Sequence, residues 1–323
     1  DMLLIAPATA NTMAKLAQGS ADDLLSLTAL AFDGPLLIAP AMDSGMFGHP
    51  ATQANLQTLE QRGVFFIGPE EGHLASGLAA KGRMTEPAAI LEHVRYHFSR
   101  VGPLQGNKIV VTAGGTQEPL DPVRYLGNRS SGKQGFALAR AALDAGADVE
   151  LISAPSHQEP PIGAEFTQVH TAEQMKNAVL DACQQADALL MAAAVADFKP
   201  VRQRERKLKR SKGIPSLSLE PTADILDAVR QERRQSGHPR LVVGFAAESE
   251  DLIANALEKL ANKDLDMIAA NDISAADAGF DVDTNRVTLL HKDGEIEELP
   301  LMSKVDVAAE IIERIAPLLA KGD

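Results

Sequence analysis

One stretch, residues 108–138, constrains the fold of this chain more than any other; it reads KIVVTAGGTQEPLDPVRYLGNRSSGKQGFAL. It opens with a β-branched apolar run that is typical of a parallel strand covered on both faces. Gly114 and Gly115 then allow backbone N–H groups to approach an anion closely. After Gly132 the apolar spacing becomes helical. A strand, a glycine turn and a helix N-terminus in this order predict a phosphate-binding site at the carboxyl end of a strand.

The loop between the glycine turn and the helix decides how much weight that prediction carries. Two glycines after a strand fit a tight strand-to-helix connection equally well, and neither G-x-G-x-x-G nor G-x-x-x-x-G-K-[ST] is present. A long polar loop, however, is costly to order unless it binds a ligand. The polar side chains of this loop are Glu118, Asp121, Arg124, Asn128, Ser130 and Ser131.

The net charge and the cysteine count limit the partners of the chain. With a formal charge of −13 over 323 residues, it is not expected to bind nucleic acid or an anionic membrane nonspecifically. The single cysteine, Cys183, excludes an internal disulfide framework and a cysteine-rich zinc site. No apolar run reaches transmembrane length. We therefore expect a cytoplasmic protein that is long enough for two domains.

Further polar or aromatic side chains follow other predicted strands. Asp197 can receive ribose hydroxyls or a magnesium ion at a strand end. Phe245 follows a strand predicted at residues 241–244, and its ring either lies against a flat base or belongs to the core. Lys263 suits a phosphate, and Asn271 suits polar groups of a base or substrate.

A basic segment, residues 202–212, interrupts this acidic chain with the sequence RQRERKLKRSK. Charge runs are usually solvated surface loops. The alternative is a flap that neutralises a triphosphate, in which Lys207 and Lys209 lie on the same side of an extended segment.

Strands alternate with helices over residues 107–320, which predicts a Rossmann-like, doubly wound α/β domain. A linker with Gly and Pro at residues 99–106 separates it from residues 1–98. The front part begins directly with a buried-looking strand, so we expect the C-terminal part of a flavodoxin-like domain whose earlier strands lie upstream.

The motifs of the second part resemble those of phosphopantothenate-cysteine ligase. This ligase is one half of the bacterial bifunctional flavoprotein of coenzyme A biosynthesis, which is also a phosphopantothenoylcysteine decarboxylase. The resemblance covers essentially the whole chain. Its segments are GGTQEPLDPVRYLGNRSSGKQG, AAAVADFKP at 192–200, KLK at 207–209, GFAAE at 244–248, NKDLDMIAAND at 262–272 and GFDVDTNRVTLL at 279–290.

The resemblance implies that CTP activates 4'-phosphopantothenate as an acyl-cytidylate and that L-cysteine then displaces CMP. It implies Mg²⁺, with Asp197 as a ligand, and a homo-oligomer built from ligase-domain dimers. Asn128 and Lys207 would be catalytic. The substrate-binding residues would be Asp121, Arg124, Asn128 and Asn271. The nucleotide-binding residues would be Gly114, Gly115, Ser130, Ser131, Gly132, Ala193, Asp197, Lys207, Lys209, Phe245 and Lys263.

The front part resembles the decarboxylase of the same family. Thr9, Asn11 and Thr12 either cap a helix predicted from about Met13 or hold a ligand phosphate. Their segment is similar to the A-P-x-[ST]-A-N-T segment that contacts FMN.

Two residues of the front part depart from the family pattern. Met42 and Asp43 lie in a segment similar to P-x-M-N-x-x-M, with Asp43 where the family has Asn, and Ser76 stands where the family has its catalytic cysteine. An anionic Asp43 would repel a substrate carboxylate, and a serine hydroxyl is a far weaker proton donor than a thiol. We therefore expect an incomplete and impaired decarboxylase.

Two other classes of function remain open from the sequence. A nicotinamide- or flavin-dependent oxidoreductase fits the order of strands and helices but lacks G-x-G-x-x-G. A nucleotide-binding or assembly module would bind CTP without releasing pyrophosphate.

Overall fold

A computed structural model of the chain describes residues 1–207, 216–248, 251–272 and 282–320. The chain divides into two compact units, Asp1–His97 and Phe98–Asp323. In the described ranges, no helix combines the length and the apolar character needed to cross a membrane. Lys209 of the basic segment lies outside the described residues.

The first unit contains a parallel sheet of three strands in the order β1-β2-β3, and a separate antiparallel hairpin, β4–β5. Helices connect the strands, and the core side chains include Ile5, Met13 and Ile38. The elements are β1 Leu3–Ala8, α1 Ala10–Gln18, α2 Leu24–Ala31, β2 Leu36–Pro40, α3 Ser44–Phe47, α4 Pro50–Gln61, β3 Phe65–Phe66, β4 Glu70–His73, β5 Ala79–Arg83 and α5 Pro87–Ser99.

The second unit is built on an eight-stranded sheet with helices between its parallel strands. Its elements are β6 Lys108–Ala113, β7 Gln117–Pro119, β8 Tyr125–Gly127, α6 Lys133–Asp144, β9 Asp148–Ser153, β10 Glu165–Gln168, α7 Ala172–Cys183, β11 Ala188–Met191, β12 Phe198–Pro200, β13 Leu219–Pro221, α8 Ile225–Ser236, β14 Leu241–Glu248, α9 Leu252–Asn262, β15 Met267–Asp272, β16 Thr284–Asn285, β17 Val287–His291, β18 Ile296–Glu298, β19 Met302–Ser303 and α10 Lys304–Ala320.

The order of the strands creates a switch point in the sheet. The order is β10-β9-β6-β11-β14-β15-β17-β18, and β6 pairs in parallel with both β9 and β11. The chain therefore winds outward in opposite directions from β6 and β11. In open α/β sheets, ligands bind outside the carboxyl ends of the strands at such a point. The predicted α/β class, with a flavodoxin-like part followed by a Rossmann-like doubly wound domain, is confirmed.

Three local features differ from the sequence predictions. Helix α1 begins at Ala10 rather than near Met13, because the Thr9 side chain accepts a hydrogen bond from the Thr12 N–H and caps it. Strand β14 continues to Glu248, because β15 pairs with it from Val243 onward. The polar loop contains the antiparallel hairpin β7–β8, which the sequence pattern did not indicate.

Candidate functional site

Hydrogen bonds join the turn after β6 to the segment after β11. The Ala194 N–H donates to the Gly114 carbonyl at 2.8 Å, and the Thr116 N–H donates to the Ala194 carbonyl at 3.2 Å. The Thr116 hydroxyl also accepts from the Ala196 N–H at 2.8 Å. These bonds satisfy backbone groups that would otherwise lack partners at the ends of the strands. They also hold the segment after β11 against the turn after β6.

The two glycines of the turn allow close packing of backbone on backbone. Gly114 has φ +76°, and a Cβ there would lie 2.7 Å from the Ala154 carbonyl oxygen. A Cβ on Gly115 would lie 2.6 Å from the Asn128 carbonyl oxygen. Neither glycine lines the pocket described next. Their packing role is therefore visible, whereas the predicted phosphate contact stays a prediction.

A pocket of about 710 Å³ opens at the carboxyl ends of β11, β14 and β15. Nine of the predicted site residues line it, namely Asn128, Ser130, Ser131, Gly132, Ala193, Asp197, Phe245, Lys263 and Asn271. The sequence analysis did not single out several other polar lining residues, which are Lys133, Gln134, Thr222, Asp224, Lys259, Asn285 and Lys304.

The N-terminus of α6 forms one wall of the pocket. Gly132 is the N-cap in a left-handed conformation, and no side chain caps the helix. Gly135 brings α6 against β6, because a Cβ there would lie 2.6 Å from the Thr112 carbonyl oxygen. The uncapped N–H groups of a 12-residue helix and the positive end of its dipole favour an anion in the pocket.

Asn128 is oriented by the segment that follows β11. Its side-chain nitrogen donates to the Val195 carbonyl at 2.9 Å, so the carboxamide is held beside the small residues at the switch point. The second N–H of that nitrogen is available to a ligand carbonyl or phosphate.

Asp121 and Arg124 do not line the pocket. The Asp121 carboxylate is fully buried, accepts the N–H groups of Val123 and Arg124, and pairs with the Arg124 guanidinium. It therefore shapes the turn of the β7–β8 hairpin. The predicted substrate contacts of these two residues are not visible within this pocket and stay predictions.

Lysine side chains supply positive charge at the opposite wall. Lys263 pairs with Asp224, and Lys259 donates to the Phe245 carbonyl at 2.8 Å. Burial alone would raise the pKa of Asp224, but hydrogen bonds from Lys263 and from the Asp227 N–H, with the charges of both lysines, lower it. Lys259 lies on α9 four residues before Lys263, the C-cap of that helix, and this i,i+4 spacing was a usable sequence signal for Lys259.

A two-stranded ribbon brackets the basic segment in the sequence. Strands β12 and β13 pair antiparallel, with Phe198 opposite Pro221, and they flank residues 201–218. Lys207 is exposed and is not among the pocket-lining residues. Thr222 connects the base of this ribbon to the site, since its hydroxyl donates to the Ala196 carbonyl at 2.5 Å.

Three buried amide oxygens of pocket-lining side chains have no hydrogen-bond partner among the residues that the structure describes. They are Oε1 of Gln134, Oδ1 of Asn271 and Oδ1 of Asn285. Carboxylates are sparser: the described parts of the chain contain no group of three or more His, Cys, Asp or Glu side chains able to hold a metal ion.

Four of the predicted site residues in the first unit form two hydrogen-bonded pairs. The Thr9 and Thr12 hydroxyls lie 3.0 Å apart at the N-terminus of α1, and Asn11 is exposed beside them. The Ser76 hydroxyl donates to Asp43 Oδ2 at 2.5 Å. That bond, with the Gly45 N–H, lowers the pKa of the Asp43 carboxyl.

The β4–β5 hairpin contacts the segment before α3. The Met42 N–H donates to the Gly82 carbonyl at 3.0 Å. A Cβ on Gly82 would lie 2.2 Å from the Met42 carbonyl oxygen, so only glycine allows this approach. The hairpin thereby holds Ser76 against Asp43.

Comparison with known families gives two matches. Residues 104–319 match the DNA/pantothenate metabolism flavoprotein C-terminal domain, and residues 1–99 match the flavoprotein family.

Curated relatives match nearly the full chain. The coenzyme A biosynthesis bifunctional protein CoaBC of Bacillus subtilis is 46% identical over 98% of this chain and 78% of its own length. That of Vibrio cholerae is 42% identical over 98% and 78%. A cysteine/cysteine sulfinic acid decarboxylase from an unknown prokaryote is 44% identical over 99% and 89%.

Solved structures match the second unit. The C-terminal domain of a CoaBC protein aligns with a TM-score of 0.58 and 38% identity, covering 68% of this chain and 98% of that one. The DNA/pantothenate metabolism flavoprotein of Streptococcus pneumoniae aligns with a TM-score of 0.57 at 23% identity, over 66% and 100%, which supports the fold alone.

Proposed function

Since the chain belongs to the family of bifunctional coenzyme A biosynthesis proteins, we propose that its second unit is a CTP-dependent phosphopantothenate-cysteine ligase. The observation that carries this proposal is the pocket at the switch point. It combines an uncapped helix N-terminus, lysine side chains and an oriented asparagine, Asn128. Two anionic substrates can meet in such a site only where positive charge and N–H donors are concentrated.

In the first half-reaction, a carboxylate oxygen of 4'-phosphopantothenate attacks the α-phosphorus of CTP. The bond to the bridging oxygen breaks, and pyrophosphate leaves with the electron pair. The N–H groups of α6, with Lys259 and Lys263, bind the phosphates. Lys263 is paired with the Asp224 carboxylate in the free site. Phosphate binding must therefore replace that carboxylate with a phosphate oxygen as the partner of Lys263.

In the second half-reaction, the amino nitrogen of L-cysteine attacks the acyl carbon. The C–O bond to CMP breaks and the nitrogen loses a proton, which leaves an amide. Asn128 orients the acyl carbonyl through the N–H that does not bond to Val195. Ala193 and Phe245 line the pocket, and we assign the cytosine to them because an aromatic ring and a small residue suit a flat base.

Asp197 is an exposed pocket carboxylate beside Thr222, which suits either a ribose or one ligand position of a hydrated Mg²⁺. Such an ion takes one or two protein carboxylates and otherwise phosphate oxygens and water. When bound, it would neutralise triphosphate charge. Lys207 and Lys209 belong to the basic segment and remain our candidates for closing over that charge.

The second unit also has exposed apolar side chains on the β7–β8 hairpin and on the β12–β13 ribbon. Tyr125 is 55% exposed, Phe198 54% and Leu219 47%. These side chains support our proposal of a homodimer through the ligase domain. We further propose that the enzyme is cytoplasmic and acts on small molecules rather than on nucleic acid or membranes.

For the first unit we propose FMN binding by Thr9, Asn11 and Thr12, together with an impaired decarboxylase. The flavoprotein match supports the flavin. The impairment rests on Asp43 and Ser76, because these two side chains engage each other instead of presenting a neutral amide and a thiol.

The test is pyrophosphate release from CTP with 4'-phosphopantothenate and Mg²⁺, first without cysteine and then with it, and with ATP in parallel. Release that depends on phosphopantothenate, prefers CTP and yields an amide once cysteine is added supports the ligase. A folded sample that binds CTP without releasing pyrophosphate would instead be a binding module. Consumption of NADPH, followed by absorbance, would indicate an oxidoreductase.

A further inference from the structure

Two helices begin at the pocket, and their N-termini differ. Helix α6 begins after Gly132 with no side-chain cap among the described residues. Helix α8 begins after Asp224, whose side chain accepts the Asp227 N–H at 3.0 Å and caps the helix. Gly132, Asp224 and Ile225 all line the pocket. The end of α6 therefore presents N–H groups to an anion, whereas a carboxylate already occupies the end of α8.

Both oxygens of the Asp224 carboxylate are held. Oδ1 accepts the Asp227 N–H, and Oδ2 pairs with Nζ of Lys263, the C-cap of α9. Burial raises the pKa of Asp224, but hydrogen bonds from Lys263 and the Asp227 N–H, with the charges of Lys263 and Lys259, bring that pKa below its ordinary value. The carboxylate is therefore anionic at neutral pH. It cannot turn away from Lys263 without weakening the cap of α8.

A phosphate that binds Lys263 meets this carboxylate as a competitor. A phosphate oxygen on Nζ must replace Oδ2, and the negative charge of Asp224 then stays beside the phosphate. Repulsion between like charges grows with the charge of the ligand. Pyrophosphate concentrates its charge on adjoining phosphates, so it is penalised more than a ligand that carries a single phosphate. About half of the Asp224 side chain is exposed, which makes the effect moderate and dependent on salt.

We propose that Asp224 is a specificity-determining residue at the phosphate-binding end of the pocket. It competes with polyphosphates for Lys263 and prevents tight retention of pyrophosphate. This inference rests on the proposed ligase function, in which pyrophosphate is the first product. As pyrophosphate leaves, the carboxylate becomes the partner of Lys263 again, so that the charge of the lysine is neutralised both before and after the reaction.

The first test measures the binding of inorganic pyrophosphate and of CTP to Asp224→Asn by titration calorimetry. Asparagine caps a helix as well as aspartate does, so α8 should be retained while the negative charge is lost. We expect the Kd of both ligands to fall roughly two- to fivefold, and this gain to shrink at high salt. Asp224→Ser, which also supplies a cap, should change the Kd in the same direction. Unchanged or weaker binding would overturn the proposal.

Asp23 in the first unit offers a matched control. It is the N-cap of α2, accepts the Ser26 N–H at 2.8 Å and pairs with Lys15 at 2.7 Å. It does not line the pocket. Asp23→Asn therefore removes the same kind of capping carboxylate and ion pair, and it should leave the affinity for pyrophosphate unchanged. An equal gain in both variants would attribute the effect to the net charge of the chain and would overturn the proposal.

A double-mutant cycle separates competition for Lys263 from a purely structural role of Asp224. Lys263→Met removes the charge for which the carboxylate and the phosphate compete. The gain in pyrophosphate affinity from Asp224→Asn should then be smaller in the Lys263→Met background than in the parent. The same gain in both backgrounds would contradict competition for Lys263.

The failure of this proposal and the failure of the proposed function look different. If the parent chain releases no pyrophosphate from CTP and phosphopantothenate, the ligase function itself fails. If it does release pyrophosphate, while Asp224→Asn binds pyrophosphate no more tightly than the parent, only the role of Asp224 is wrong.

Discussion

The candidate sites of the two units differ in how their polar groups are satisfied. In the first unit, the Ser76 hydroxyl and the Asp43 carboxylate bond to each other, and the Thr9 hydroxyl caps α1. In the second unit, α6 has no side-chain cap, and three amide oxygens of pocket-lining residues lack partners within the described part of the chain. The polar side chains of the first site therefore bond to each other, whereas the second site has donors and acceptors without a partner among the described residues.

The difference indicates which site gains more free energy when a ligand binds. A group that is already hydrogen-bonded must give up that bond before it contacts a ligand, so its net gain is small. An unpartnered buried group recovers its desolvation cost on binding. We therefore expect a larger gain on ligand binding in the second unit, and the predictions that follow test this contrast, beginning with the largest expected effect.

We expect the largest effect from a substitution that moves α6 away from β6. Gly135→Ala places a Cβ 2.6 Å from the Thr112 carbonyl oxygen, which we expect to destabilise the second unit by about 1–3 kcal/mol. A displacement of about 1 Å in the helix N-terminus should lower ligase activity about a hundredfold. Thermal unfolding and amide formation measure the two effects.

A matched change exists in the first unit. Gly82→Ala should release the β4–β5 hairpin, seen as faster proteolysis of that hairpin, while ligase activity is retained. A Gly135→Ala protein with parental activity would show that the close packing of α6 is not required.

Asn128→Asp tests one residue of the second site, the asparagine to which we assign the orientation of the acyl group. The aspartate cannot donate to the Val195 carbonyl, so the acyl group loses its orienting contact, and we expect amide formation to fall about 5- to 150-fold. Pyrophosphate release should fall less. The control is Asn107→Asp, where the side chain also donates to a backbone carbonyl, that of Leu104, outside the pocket. Equal losses in both half-reactions would contradict the role of Asn128.

The closed site of the first unit predicts no decarboxylation. With FMN supplied, the chain should release no carbon dioxide from phosphopantothenoylcysteine, since Ser76 is a weak proton donor and Asp43 is anionic. Asp43→Asn should improve binding of the substrate carboxylate severalfold by removing that repulsion. Carbon dioxide release by the unaltered chain would show that the bonded pair does not prevent catalysis.

The smallest expected effect is a pH dependence of the hairpin. The pKa of Asp43 is lowered chiefly by the Ser76 hydroxyl and then by the Gly45 N–H. The stabilisation is therefore present above the ordinary pKa of about 3.9 and is lost as the pH falls further through the lowered value. The protection of β4 and β5 against hydrogen exchange, relative to the intrinsic exchange rate at each pH, should fall below about pH 4 and should lose this dependence in Asp43→Asn. An identical profile in both proteins would refute the linkage.

Much of the fold was predictable because local pattern and final structure agree. The apolar run at residues 108–113 forms β6 at the centre of the sheet, and the small residues after β11 lie beside the glycine turn. The hairpin β7–β8 was missed, because its turn depends on the buried Asp121 carboxylate rather than on apolar alternation.

The sequence by itself determined the alternation of strands and helices, the glycine turn, and nine of the residues that line the pocket. The tertiary structure decided which polar groups are satisfied. Asn285 and Lys304 come from the far end of the chain and join Gln134 only because α10 packs beside α6. Hydrogen bonding and burial depend on distances between segments far apart in sequence, and no local pattern encodes those distances.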